Sequence, residues 1–101
     1  MEIYQLRYFA YAAKYENITM AAQELNVSQP SISKAIQSLE RELKTELLRK
    51  NGRSCVLTHD GYLLQERVVP LLEEIEQLPF FRSNSVFNSR SSDWIALLME
   101  G

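Results

Sequence analysis

The sequence predicts a mainly α-helical fold: a winged helix-turn-helix, with three helices and a short β-hairpin wing, followed by a long dimerisation linker helix. Three observations support this prediction. Residues 18–37 have the pattern of two short helices joined by a tight turn. An Asn51-Gly52 pair lies between two short apolar segments, which is typical of a β-hairpin. Apolar residues then recur over residues 64–78 at alternating spacings of four and three, the pattern of a helix that pairs with another helix.

The first predicted helix covers residues 2–16 and has two apolar faces. One face is expected to pack on the helix-turn-helix and consists of Ile3, Leu6, Phe9, Ala10 and Ala13. The other face consists of Tyr4, Tyr8, Tyr11 and Tyr15. These tyrosines either cover the following helices of the same chain or contact a linker helix. The second interpretation is favoured, because a row of exposed tyrosines is unusual on a monomer.

The helix-turn-helix at residues 18–37 is predicted from its caps and its turn. Thr19 is the predicted N-cap of its first helix, and Asn26 tolerates the left-handed backbone of a tight turn. Ser28 is the predicted N-cap of its second helix, with Pro30 in the first turn. The second helix is expected over about residues 29–43. Its predicted buried stripe consists of Ile32, Ile36, Leu39 and Leu43.

The opposite face of this second helix is polar and cationic, without the acids that a solvated helix usually carries. It consists of Lys34, Gln37, Ser38 and Arg41, with Pro30 and Ser31 at its leading end. Gln, Ser and Lys side chains can contact base edges in a DNA major groove, and Lys and Arg can contact phosphates. A plain solvent-exposed face is the alternative. The agreement of caps, turn and both stripes favours DNA recognition.

Residues 1–65 resemble the N-terminal DNA-binding domain of LysR-type transcriptional regulators. The matching segments are residues 6–9, 21–33, 36–43 and 57–61, and Val-Ser-Gln-Pro-Ser-Ile-Ser at 27–33 is the most specific. The resemblance implies a winged helix-turn-helix, a dimerising linker helix and sequence-specific binding to a bacterial promoter. The family usually has glycine where Lys44 stands, so the recognition helix is expected either to end less sharply here or to gain an interaction between Lys44 and its C-terminus.

Residues 44–57 predict the wing. Leu47 and Leu48 begin one short strand, and residues 55–57 form the other. Lys50 and Arg53 flank the Asn-Gly turn, so the hairpin tip is cationic. Such a tip beside a recognition helix suits contact with the DNA backbone or minor groove. A solvated loop is the alternative interpretation.

The linker helix is predicted over residues 59–78, after a DNA-binding domain of residues 1–58, with Thr58 as its N-cap. Pro70 lacks the N–H that would bond Glu66 and is expected to kink the helix. Little in so small a domain can cover a helix this apolar, so a homodimer or higher homo-oligomer is predicted. The predicted dimer seam consists of Leu64, Val68, Leu71, Ile75 and Leu78.

Residues 79–101 form an atypical tail. Ser and Asn dominate residues 83–92, which favours a loop or disorder, and Asp93 is the predicted cap of a short helix over 94–99. The effector domain of a full-length LysR-type regulator does not follow the linker helix here. No small-molecule effector is therefore expected for this chain, which is interpreted as a truncated, frame-shifted or genuinely short regulator.

The charge distribution supports a nucleic-acid partner despite a net charge of −2. Within residues 26–57, six Lys and Arg stand against three Glu, so the positive potential is local. No apolar run approaches the roughly 20 residues that a membrane span needs, and no export signal precedes the first helix, so a cytoplasmic protein is expected.

Enzymatic chemistry lacks support in the sequence. Cys55 and His59 are the only residues of their types, and no phosphate-binding glycine loop appears. Cys55 is interpreted as a strand side chain and His59 as a solvated or phosphate-facing group. No cofactor is expected. Three carboxylates are expected on the solvent side of the linker helix: Glu73, Glu74 and Glu76.

The sequence is consistent with two functions. The first is a homodimeric transcription factor that binds double-stranded operator DNA at a bacterial promoter. The residues expected nearest base edges are Gln29, Ser31, Ser33, Lys34 and Gln37. Those expected at phosphates or the minor groove are Ser28, Arg41, Lys50 and Arg53, with Pro30 in the same interface. The alternative is a truncated regulator that acts as a protein-interaction module by forming mixed dimers with full-length regulators.

Overall fold

The computed structural model describes residues 1–52 and 54–78. Its elements in chain order are α1 (Ile3–Tyr15), α2 (Ile18–Leu25), α3 (Gln29–Leu43), β1 (Leu48–Asn51), β2 (Ser54–Leu57) and α4 (His59–Glu76). The predicted winged helix-turn-helix with a following helix is confirmed. The predictions for Arg53 and for the tail at 79–101, including the helix at 94–99, lie outside the described residues. The chain divides into two compact units, Met1–Gln65 and a second that begins at Glu66.

The core of the first unit lies where α1, α2 and α3 cross one another. Alanines on α2 let the helices approach closely, since a larger side chain would hold them apart. The buried side chains include Phe9, Ala10, Ala13, Ala21, Ala22, Ile32, Ala35, Ile36 and Leu39. Two members of the predicted stripes, Ile3 and Leu43, are 41% and 37% exposed. Both are terminal residues of their helices, where a neighbouring helix covers less of the surface.

The caps predicted at the turn of the helix-turn-helix are confirmed, whereas the N-cap predicted for its first helix is wrong. Asn26 is left-handed (φ 59°, ψ 44°), and the Ser28 hydroxyl accepts a hydrogen bond from the Ser31 N–H at 3.2 Å. The cap of α2 is Asn17 rather than Thr19, because the Asn17 side chain accepts the Met20 N–H at 2.9 Å. Since α2 therefore begins at Ile18, Thr19 lies inside its first turn and caps nothing.

Two other helices also end at left-handed residues that are not glycine. Glu16 ends α1 with φ 51°, and Lys44 ends α3 with φ 56°. The amide of Lys44 donates to the Glu40 carbonyl, and the Thr45 amide donates to the same oxygen at 3.1 Å. The recognition helix α3 thus ends in a tight turn at Lys44, and the expected loosening is not observed.

The wing is an antiparallel pair that runs from Leu48 opposite Leu57 to Asn51 opposite Ser54. Asn51 belongs to the last pair, so the turn starts at Gly52 (φ 67°), one residue later than the Asn-Gly pattern predicts. The Ser54 hydroxyl donates to the Asn51 carbonyl at 2.9 Å and closes this register. Glycine still takes the left-handed position that the turn requires.

The start of α4 is joined to the base of the wing. The Thr58 hydroxyl accepts the Gly61 N–H at 3.0 Å, which confirms the predicted N-cap, and the Thr58 amide donates to the Leu47 carbonyl at 3.0 Å. Gly61 is buried against the same carbonyl: a Cβ at Gly61 would lie 2.0 Å from the Leu47 oxygen. Only glycine permits this approach of α4 to the wing.

Farther along, α4 continues through Pro70 to Glu76 and has one buried side. That side consists of Val68, Val69, Leu72 and Glu76, each less than 8% exposed. The expectation that Glu76 faces solvent is wrong. Glu76 follows Leu72 by four residues, so the two side chains share one face of the helix. None of the helices in the described part of the chain is both long and apolar enough to span a membrane.

Candidate nucleic-acid interface

The predicted recognition face of α3 is open to solvent. Ser28 and its neighbour Ser31 are exposed, and their hydroxyl oxygens lie 2.7 Å apart. The pair orders the first turn, and each hydroxyl keeps acceptor capacity for a second partner. The other exposed members of the predicted set on α3 are Gln29, Pro30, Lys34, Gln37 and Arg41, while Ser33 and Ser38 are half-buried. The leading turn and the outward side of α3 therefore form one polar surface.

The wing presents its cations beside α3. Lys50 is exposed on β1. Arg49 is also exposed, but its guanidinium donates to the Glu46 carboxylate at 2.9 and 3.1 Å, so its charge is partly neutralised. Lys50 is therefore the cation of β1 that is best placed for a phosphate. Arg53, predicted beside it, is not among the described residues.

A groove of about 310 Å³ lies between α3 and the wing and brings several predicted residues together. Ser33 and Gln37 line it from α3, and Lys50 lines it from β1. An adjoining depression of about 230 Å³ adds Gln29 on one side and Gly52 on the other. Lys34 and Arg41 line neither, and they present a separate exposed part of α3. The groove shows that the wing and the recognition helix form one continuous surface.

Three further groove residues were not predicted from the sequence. Ile18 and Thr19, at the start of α2, and Ser54, opposite Asn51 at the wing tip, line the adjoining depression. A helix N-terminus has amide donors without intrahelical partners and a positive partial charge, which suit a phosphate. The polar residues at 51 and 54 were a usable signal for the wing. No sequence pattern around residues 18–19 predicts that they lie beside the wing.

Each acid within residues 26–57 is engaged inside the domain. Glu40 accepts hydrogen bonds from the amides of Leu47 and Leu48 at 2.8 and 3.3 Å. Glu42 forms an ion pair with the Met1 amino group at 2.8 Å, and its hydrogen bond raises the pKa of that group. With Glu46 held by Arg49, these carboxylates are turned to partners within the domain. The exposed surface of α3 and the wing keeps a positive balance.

Cys55 is a buried side chain of β2. The Cys55 thiol is 1% exposed and donates to the Ala12 carbonyl at 3.8 Å. Burial raises the pKa of the Cys55 thiol, so it stays protonated at neutral pH and behaves as a strand side chain. Within residues 1–52 and 54–78, no three His, Cys, Asp or Glu side chains lie close enough together to hold a metal ion.

These features define a class of protein. A capped helix with an exposed amide, hydroxyl and cationic face, held beside a cationic hairpin, is a winged helix-turn-helix DNA-binding domain. A family model described as bacterial regulatory helix-turn-helix protein, lysR family, matches residues 3–62. The chain belongs to this family of transcriptional regulators.

Similar proteins support the assignment. The chain is 41% identical over 78 residues to the probable cat1 operon transcriptional activator of Acinetobacter lwoffii, and 49% identical over 61 residues to the regulator BudR of Raoultella terrigena. These alignments cover 77% and 60% of this chain. They cover 26% and 21% of the relatives, so the chain spans about a quarter of their length or less.

Solved structures of the family include DNA complexes. The BenM DNA-binding domain bound to catB site 1 DNA matches with a TM-score of 0.73 and 35% identity, over 76% of this chain and 86% of that one. The CbnR DNA-binding domain in its DNA complex matches with a TM-score of 0.73 and 38% identity, over 76% and 88%. Full-length CbnR complexed with its target DNA gives the same score over 27% of its length.

Proposed function

We propose that this protein binds double-stranded promoter DNA as a homodimer in the cytoplasm and regulates transcription there. Each protomer places α3 in a major groove at one of two half-sites, and its wing contacts the backbone or the minor groove. Base edges are contacted by Gln29, Ser31, Ser33, Lys34 and Gln37. Phosphates or the minor groove are contacted by Ser28, Arg41, Lys50 and Arg53, with Pro30 in the same interface.

The observation that carries this proposal is the groove between α3 and β1. Gln37 and Lys50 line it from opposite sides, so a base-contacting amide and a phosphate-contacting ammonium belong to one surface. Two acids also line this groove: Glu40 is held by backbone amides, and Glu46 is paired with Arg49. The BenM and CbnR domains that match this fold were solved with DNA bound.

The dimer part of the proposal rests on the side of α4 that remains open. Leu71 and Leu78 are 50% and 42% exposed, and Leu64 and Ile75 are half-buried. Val68, the remaining residue of the predicted seam, is only 1% exposed. The four residues other than Val68 are therefore the surface proposed for a second copy, with residues 1–58 as the DNA-binding domain and 59–78 as the linker helix. A mixed dimer without DNA contact is not favoured, because α3 and β1 together present an exposed surface that suits DNA.

Substitutions on α3 test the assigned roles. Gln37→Ala is expected to relax base preference at one position of each half-site, worth about 1–3 kcal/mol of discrimination for a bidentate contact. Arg41→Ala is expected to weaken binding to all sequences alike and to lower the salt slope by about 0.9 for each phosphate that is no longer neutralised. The measurement is selection from a random duplex library at low salt, followed by fluorescence anisotropy titrations with the selected and a scrambled duplex.

The outcomes of these titrations distinguish a wrong role for Gln37 or Arg41 from a wrong proposed function. Equal losses on both duplexes for both variants would remove the role assignments of Gln37 and Arg41. If the unaltered protein binds no duplex at low salt, the proposed function itself fails. Glu74→Ala, a change of an exposed residue on α4 that is not assigned to DNA contact, is the control and is expected to bind like the parent.

A further inference from the structure

One hydrogen-bonded contact joins the recognition helix to the wing through a side chain. The Oε2 atom of Glu40, in the C-terminal half of α3, accepts the Leu47 amide at 2.8 Å and the Leu48 amide at 3.3 Å. Leu48 is the first residue of β1, and Leu47 is 1% exposed. Bonds from amides to a carboxylate are charge-assisted and stronger than neutral ones, so this contact fixes where β1 begins relative to α3.

The position of Lys50 follows from that contact. Lys50 stands two residues after Leu48 on β1, and side chains two residues apart lie on the same side of a strand. Leu48 and Lys50 line the groove from the wing, while Gln37 lines it from α3 one turn before Glu40. The carboxylate therefore sets the separation between the wing cation and the base-contacting side of α3.

We infer that Glu40 is a positioning residue for DNA recognition: its carboxylate holds β1 on α3 so that Lys50 and Gln37 engage one DNA site together. Glu40 itself does not contact DNA, because its Oε2 atom is occupied by the two wing amides. The inference rests on the proposed function, and it assigns a role in binding to an acid that would otherwise repel phosphates.

A double-mutant cycle tests this inference. In the unaltered protein, Lys50→Ala should weaken binding to the selected duplex roughly tenfold, the effect of removing one charged hydrogen bond, and lower the salt slope by about 0.9. In a Glu40→Gln background the wing is held less firmly, so the further effect of Lys50→Ala should fall to within about twofold. Arg41→Ala, on α3 alone, should have the same effect in both backgrounds.

Two further variants distinguish a positioning role of Glu40 from a merely structural one. Glu42→Gln changes another acid of α3, one that is paired with Met1 rather than with the wing, and should leave the Lys50→Ala effect intact. Glu40→Asp keeps the charge on a shorter side chain and should uncouple Lys50 as Glu40→Gln does. If Glu40→Gln does not fold, Glu40→Asp completes the cycle. The second readout is hydrogen exchange of the Leu47 and Leu48 amides, which should be slow in the parent and fast in whichever variant folds.

The result that overturns the inference is an equal Lys50→Ala effect in both backgrounds while binding persists. An absent Lys50→Ala effect in the unaltered protein overturns it as well, since the wing would then make no contact to be positioned. Both results leave DNA binding through α3 standing. Only a parent protein that binds no duplex at low salt counts against the proposed function.

Discussion

At the scale of single residues, the left-handed ends of α1, α2 and α3 are the positions where the backbone is strained. Lys44, at the end of α3, takes φ 56°. An L side chain in this conformation has its Cβ close to the following carbonyl, at a cost of roughly 1–2 kcal/mol. The amides of Lys44 and Thr45 both donate to the Glu40 carbonyl, and these bonds hold the turn despite that cost.

Lys44→Gly is therefore expected to stabilise the protein. The strain at φ 56° disappears, while glycine increases the freedom of the unfolded chain, so the net gain should be about 0.5–1 kcal/mol. The measurement is urea unfolding followed by circular dichroism. Asn26→Gly is the matched control and should gain less, because Asn adopts φ 59° more readily. A loss of stability in Lys44→Gly would contradict this account.

A second prediction at this scale concerns pH. The ion pair with Glu42 raises the pKa of the Met1 amino group, so the folded state holds that proton more tightly than the unfolded state. The pair's contribution to stability is then complete below the ordinary pKa of 8.0 and disappears as the pH rises through the folded pKa. Glu42→Gln should lower this pKa, as followed by NMR titration of the amino group.

Glu2→Gln is the control for that titration. Glu2 raises the pKa of the Met1 amino group through its charge alone and more weakly than Glu42 does, so Glu2→Gln should lower that pKa less than Glu42→Gln. A larger change for Glu2→Gln would show that the Met1–Glu42 ion pair does not form in solution.

At the scale of elements, the contact between the base of the wing and the start of α4 determines how α3, β1 and α4 are connected. The Leu47 carbonyl accepts from the Thr58 amide, while the Leu47 amide donates to Glu40. One peptide segment thus connects α3, β1 and the first turn of α4. Gly61 belongs to this joint because it lets α4 approach the Leu47 carbonyl.

Gly61→Ala is expected to destabilise the protein, although alanine favours a helix more than glycine by about 1 kcal/mol. The added Cβ would lie 2.0 Å from a backbone oxygen, which cannot rotate away as a side chain can. Overpacking of this kind costs about 1–3 kcal/mol. Urea unfolding is the measurement, and Glu66→Ala, exposed on the same helix, should change stability by less than about 0.5 kcal/mol. A Gly61→Ala variant as stable as the parent would show that α4 does not approach the wing this closely.

At the scale of the whole molecule, the open side of α4 is the surface that the proposed homodimer uses. Leu71 lies on it, while Tyr62, 54% exposed, stands nine residues earlier and so on the opposite side of the helix. Leu71→Glu would place two carboxylates in the dimer seam, one from each copy. Charges buried without partners are costly, so the variant is expected to weaken dimerisation at least about a hundredfold.

Sedimentation equilibrium of Leu71→Glu and Tyr62→Glu measures this difference. Tyr62→Glu adds the same charge at an exposed position and should remain as dimeric as the parent. A duplex with two half-sites should bind Leu71→Glu about as weakly as a duplex with one half-site. Dimerisation unchanged in Leu71→Glu would place the interface elsewhere on the chain.

Most of the fold could be predicted from the sequence, because its signals are local. The Ser28 cap, the left-handed Asn26 and the apolar periodicity of α3 each involve residues within about four positions of one another. The polar face of α3 and the cationic wing were predicted for the same reason. The fold class, the two strands and the exposed side of the recognition helix were therefore determined by the sequence itself.

Contacts between distant segments were decided only by the tertiary structure. Glu40 lies on α3, but its bonds to Leu47 and Leu48 depend on the path of the chain after Lys44. The burial of Val68 and Glu76 depends on which side of α4 is covered. The apolar repeat of residues 64–78 is not sufficient to predict that side. Short-range patterns fix the elements because backbone hydrogen bonds span few residues, whereas packing fixes how the elements are joined.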